Sequence, residues 1–129
     1  PFPKGAFDTV LLINVVRSLH LLGIKDIIGG AADLLDTEGR LVVLDNVRPE
    51  HPDYVEEGWL VEFLREHGLS LELRRAIRAS RWPLIYAIRY GLVPRILLPW
   101  LIRWELHRMS KAGRPRFGYH NVVFVFRRS

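Results

Sequence analysis

The sequence predicts an α/β domain built on a largely parallel sheet. Two apolar runs rich in β-branched residues, FDTVLLINVV and RLVVLDNV, each break into a polar tail. Runs of this kind belong to strands buried in parallel sheets. A helical pattern lies between them and a second follows RLVVLDNV. Alternating strands and helices imply βαβ units. A last run, NVVFVFRR, is dominated by β-branched and aromatic residues and reads as a strand.

The elements follow in order. Residues 7–16 form the first strand, expected to be buried on both faces, with Asn14, Arg17, Ser18 and His20 as its polar tail. Residues 24–35 carry apolar side chains at 24, 27, 28, 31, 34 and 35, the spacing of a helix with one buried face. Gly29 and Gly30 weaken that helix and are expected to let it approach the sheet. Gly39, after Thr37 and Glu38, is a natural stop for it. The second strand spans residues 40–47 and is followed by a loop at 49–52. Asp53 is a good N-cap for a helix to His67, whose stripe is Val55, Trp59, Leu60, Phe63 and Leu64. Gly68 terminates it, residues 69–79 alternate in part as a third strand, and residues 121–128 are the last.

Some forty residues separate the third and fourth strands. They contain WPLIYAIRYGLVPRILLPWLIRW, which Pro83, Pro94 and Pro99 divide into short helices. Arg89, Arg95 and Arg103 interrupt it, so no charge-free run reaches the length of about 18 residues that a membrane crossing needs. Trp82, Tyr86 and Tyr90 are four apart, as are Trp100 and Trp104, so each set lies on one helical face. Such faces form a satellite core, a lid over an apolar substrate, or a surface for anionic lipid.

Hydrophobic residues are 49% and charged residues 26% of 129, enough to bury a core in one domain or part of one. With no cysteine, disulfides, thiolate metal sites and a cysteine nucleophile are excluded. Between Leu73 and Phe117 eleven basic residues face one acid, Glu105, whereas the whole chain is only +5, so the remainder leans acidic. That asymmetry suits an anionic partner or a solvated basic face that keeps the protein soluble. No positive stretch followed by an apolar one opens the sequence, so no signal peptide is expected, and a cytoplasmic location follows as the expectation.

FDTVLLINVV, IIGGAADLLDTEGRLVVLD, WLVEFLREHGL and NVVFVFRR, in that order, resemble the class I S-adenosylmethionine-dependent methyltransferases. The resemblance covers most of the chain outside residues 82–116. It implies a partial Rossmann-like methyltransferase fold: strands four to seven, a mostly parallel sheet with an antiparallel last strand, and a helical insertion. Residues 1–79 would be the C-terminal half of such a domain, 80–117 the basic aromatic insertion, and 118–129 the final strand. DTEGR stands where the family has a proline–glycine–glycine turn. The family's glycine-rich loop has no counterpart in the sequence, so the chain is expected to be a fragment. In the family the missing first strand pairs with the fourth. Residues 7–14 would therefore form an open apolar edge able to pair with another chain.

In open α/β sheets ligands bind outside the carboxyl ends of the strands. By resemblance, Asn14, Val15, Val16 and Arg17 would line the methionine and methyl end of S-adenosylmethionine. Asn14 serves equally as a simple strand-end residue. Asp45, Asn46 and Arg48 end the second strand and would face the methyl acceptor, with Asp45 orienting or deprotonating it. His20 is a second candidate base, because its ordinary pKa is near neutrality. His120 could reach the same rim, and Trp82 and Tyr86 would cap a small apolar or lipid-like acceptor. His51, His67 and His107 read as surface residues. No histidine spacing suggests zinc, no G-x-S-x-G elbow supports hydrolysis, and no RNA-module signature accompanies the arginines. The alternative to an enzyme is a non-catalytic methyltransferase-like module that binds a partner chain or an anionic surface.

Overall fold

The computed structural model describes residues 2–16, 23–49, 51, 54–79, 83–111 and 118–128. Four strands form one sheet in the order β1-β2-β4-β3, with β1 Phe7–Ile13, β2 Leu35–Val47, β3 Leu69–Ala79 and β4 His120–Arg128. β1 and β2 are parallel, pairing Val10 with Leu41 and Ile13 with Leu44. β4 runs antiparallel to both its neighbours, β2 and β3. Of the described strands, three thus point one way and only the last is reversed, as the resemblance implied. β1 lies at one edge of this sheet, and the expectation of an open edge holds among the described residues.

Helix α1 (Ile24–Asp33) crosses from β1 to β2, and α2 (Glu57–Glu66) from β2 to β3. Both turn their apolar stripes to one core. Ile28, Ala31 and Ala32 of α1, and Leu60 and Leu64 of α2, are buried there with Leu12, Leu41, Val43, Val122, Phe124 and Phe126 of the sheet. The register aligns Leu12, Val43 and Phe124 in one row, because side chains that share a row share a face. The alternate residues make the other face. Leu11, Ile13 and Leu73 are exposed there, and Val42, Leu44, Val123 and Val125 are half-buried. The expectation that the first strand is buried on both faces is therefore corrected. Its apolar run reflects two apolar faces, only one of which the described elements cover.

Three boundaries differ from the sequence pattern. α1 ends at Asp33, and residues 35–39 belong to β2, which loops out against β1 between the pairs Phe7–Leu35 and Thr9–Arg40. The Asp36 carboxylate accepts the Glu38 N–H at 3.0 Å, holding that loop. Gly39 is not a helix stop. A Cβ there would sit 2.9 Å from Leu35 Cβ, so the loop closes only on a residue without one. α2 begins at Glu57 rather than at Asp53, which lies outside the described residues. Gly68 ends α2 as expected, with φ 75°. Gly29 and Gly30 do not bring α1 to the sheet. A Cβ on Gly29 would meet His67, just past the end of α2, at 3.2 Å, and Gly30 faces open space.

The insertion is short helices, as its prolines require: α3 (Pro83–Arg89), a 3-10 turn (Arg95–Leu97) and α4 (Leu98–Ser110). α4 buries Leu101, Glu105 and Met109, spaced four apart, and Met109 joins the main core. The satellite-core reading of the aromatics is not met, because Tyr86, Tyr90, Trp100 and Trp104 are all exposed. Trp82 lies outside the described residues. No described helix is long and apolar enough to cross a membrane.

Candidate functional site

The carboxyl ends of β1 and β2 and the amino end of β4 meet at one edge of the sheet. Asn14 follows β1 with φ 54°, a left-handed conformation that asparagine tolerates better than most residues. Its N–H still donates to Leu44 O at 2.8 Å, so the turn away from the sheet is made by this one residue. Its side chain is exposed, Val15 is half-buried and Val16 lies in the core. Val16 therefore has only main chain to offer a ligand. Arg17 and His20 lie outside the described residues.

At the end of β2, Asp45 is fully buried and one carboxylate oxygen accepts the Asn46 N–H at 2.7 Å. Asp45 is thus held in place rather than presented at the surface. Asn46 points to the opposite face of the strand. Its amide oxygen accepts from Asn121 Nδ2, and Asn121 Oδ1 accepts from Arg78 Nε at 2.9 Å. This relay joins β2, β4 and β3 at their shared end, and the register explains it, since Asn121 pairs with both Asn46 and Arg78.

Beyond the end of β2 sits an aromatic rim. Tyr54 stacks on Tyr119 with centroids 5.3 Å apart, and His51 meets Tyr54 edge-on at 4.9 Å. Arg48 lies over the Tyr54 ring at 6.0 Å. Val55 bridges to Val47 and holds this loop against the strand. His51 and His67 are half-buried rather than surface residues, and His67 Nδ1 donates to Phe63 O at 2.8 Å. Tyr54, Tyr119, Asn121 and Arg78 were not singled out as site residues from the sequence. The one signal available was the polar start of NVVFVFRR beside a tyrosine and a histidine.

His120 opens β4 opposite Val47 and Ala79. It is 8% exposed, and its Nδ1 is buried without a hydrogen-bond partner among the described residues. Burial, then the charges of Arg74 and Arg108, hold its pKa below the ordinary histidine value, and Glu105 opposes them only in part. Unpartnered buried nitrogens are rare and collect at functional sites. The stability consequence has a definite sign. On acidification below about 6.5 the unfolded chain takes up this proton before the folded one does, so stability falls. Thermal unfolding between pH 7 and pH 5 should show that loss, and His120→Gln should reduce it. An unchanged pH slope in the variant would remove the assignment. Tyr86 of α3 is exposed, and nothing in the described contacts brings it to this rim. No described cluster of histidine and carboxylate side chains could hold a metal ion.

A four-strand sheet with its last strand alone reversed, among the described residues, has the partial Rossmann-like methyltransferase fold. Solved structures bear this out. A SAM-dependent methyltransferase from Archaeoglobus fulgidus is 15% identical, with a TM-score of 0.61 over 98% of this chain and 62% of its own. The 1,6-didemethyltoxoflavin-N1-methyltransferase of Burkholderia thailandensis is 16% identical, with a TM-score of 0.57 over 100% and 47%. The (4+2)-cyclase SpnF is 15% identical, with a TM-score of 0.62 over 99% and 52%. The chain spans about half to two thirds of the length of these structures. No protein-family model matches the sequence, and no curated protein matches it significantly.

Proposed function

We propose that this chain is the acceptor-side half of an S-adenosylmethionine-dependent methyltransferase domain, acting on a small apolar or lipid-like acceptor. The observation that carries the reading is the sheet edge itself: Asn14 in a left-handed turn after β1, beside a buried Asp45 and a relayed Asn46 at the end of β2. The neighbour from Burkholderia thailandensis has S-adenosylhomocysteine bound on the same fold. S-adenosylmethionine supplies an electrophilic methyl on sulfonium. The Asn14 amide fits its methionine end, since it can give hydrogen bonds to a carboxylate and take them from an ammonium. Methyl transfer depends on an in-line approach, so positioning does most of the work. The relay through Asn121 and Arg78 fixes the Asn46 amide, and the stacked Tyr54 and Tyr119 offer a flat apolar wall to the acceptor. His120, uncharged at neutral pH, is the group suited to take a proton from the acceptor.

Calorimetric titration of S-adenosylhomocysteine into the folded protein tests this. Asn14→Gly keeps the left-handed backbone, so its fold should persist while binding weakens about tenfold or more through loss of a charge-assisted hydrogen bond. Wild-type affinity in Asn14→Gly would leave Asn14 a strand-end residue only. No binding by a folded chain, alone or joined to a glycine-rich strand–loop–helix, would sink the enzyme reading. The second reading is then a non-catalytic module that pairs through the β1 edge. SpnF, described as a cyclase, shows that this fold is not tied to one reaction.

A further inference from the structure

We propose that the segment from α3 through α4 docks on an anionic lipid surface, lying in the headgroup layer without crossing it. This goes beyond the methyl-transfer reading and does not depend on it. α4 is amphipathic in an inverted sense. Its buried stripe of Leu101, Glu105 and Met109 includes a carboxylate, while Trp100, Arg103, Trp104 and His107 are exposed. Before it, Tyr90, Leu92 and Ile96 are 73%, 75% and 85% exposed. Large apolar side chains clustered at this exposure mark an interaction surface rather than ordinary scatter.

The charge says what covers it. Among the described residues 83–111 the one acid is Glu105, and it is held by Arg108 in a two-bond pair of 2.7 and 2.8 Å. Arg89, Arg95 and Arg103 are interleaved with the exposed apolar residues, and no described ion pair uses them. A bilayer satisfies both sets at once, since Trp and Tyr settle at the headgroup level, Ile and Leu below it, and arginine against phosphate. An acidic protein would answer the arginines and leave Ile96 and Leu92 wet. The helices have 7 and 13 residues, with prolines between and within them, so they lie on the surface rather than span it.

The test is co-sedimentation of the full chain with unilamellar vesicles, of phosphatidylcholine alone or with phosphatidylserine. Tryptophan emission, with quenching by brominated acyl chains, is read in parallel. Binding is expected to the anionic vesicles, to weaken with salt, and to be lost in phosphatidylcholine alone. Arg89→Ser, Arg95→Ser and Arg103→Ser should each weaken it on the order of fivefold. Ile96→Ser with Trp100→Ser should abolish it and the quenching, and both positions are exposed, so circular dichroism should be unchanged. Binding indifferent to lipid charge, or none by the folded chain, would overturn the proposal. A dimer that dissociates on Ile96→Ser with Trp100→Ser, without vesicle binding, would overturn it in favour of a second copy.

Discussion

Phe124→Ala should lower the unfolding free energy by about 3–5 kcal/mol, the usual cost of a cavity at a fully buried aromatic. Phe124 is 0% exposed on the central strand β4, paired with Val43 on one side and Arg74 on the other. Its ring stacks with Phe126 at 6.2 Å, on the face that α1 and α2 cover. The neighbouring Val125 points to the other face and is half-buried. Val125→Ala should therefore cost about 1 kcal/mol or less, because little apolar area leaves water there. Urea denaturation of both variants measures the difference. Equal losses would mean that the second face is covered in solution, by another segment or another copy. The two-faced description of the sheet would then be wrong.

Arg108→Ala should cost about 2 kcal/mol, well above an ordinary surface ion pair. Its partner Glu105 has a side chain 4% exposed, and the guanidinium makes both hydrogen bonds to that carboxylate. Removing the guanidinium leaves a carboxylate in the α4–sheet interface without its counter-charge. The loss stays below the full cost of breaking a buried pair because Arg108 itself is half-exposed, and water reaches that side. Adding Glu105→Leu to Arg108→Ala should recover most of the stability, since the buried position then carries an apolar side chain of similar size beside Leu101 and Met109. Chemical denaturation of the single and double variants decides it. A single variant indistinguishable from wild type would show that Glu105 is solvated in solution.

Much of the architecture was legible because it follows from local rules. Apolar runs rich in β-branched residues became β1, β2 and β4, Gly68 closed α2, and the three prolines cut the insertion into short helices. The parts that were not legible depend on what one segment meets in another. Gly39 reads as a helix stop until Leu35 folds back so close that a Cβ on residue 39 would lie 2.9 Å from Leu35 Cβ. Asn46 and Asn121, 75 residues apart, become partners only through the β2–β4 register. Tyr54 and Tyr119 stack only because β4 starts beside the end of β2.

The order of strands and helices, the reversed last strand by resemblance, and the concentration of arginine in one segment were all readable from the residues alone. These are consequences of side-chain periodicity, of proline and glycine backbone limits, and of composition, all of which act within a few residues. Tertiary structure decided which face of each apolar run is covered. It decided that Leu11 and Ile13 stay open, that Trp100 and Trp104 face outward while Glu105 turns in, and that His120 Nδ1 is buried without a partner among the described residues. Period-two and period-3.6 patterns say that a face is apolar. What lies against that face depends on contacts between residues far apart in the chain, which no local pattern encodes.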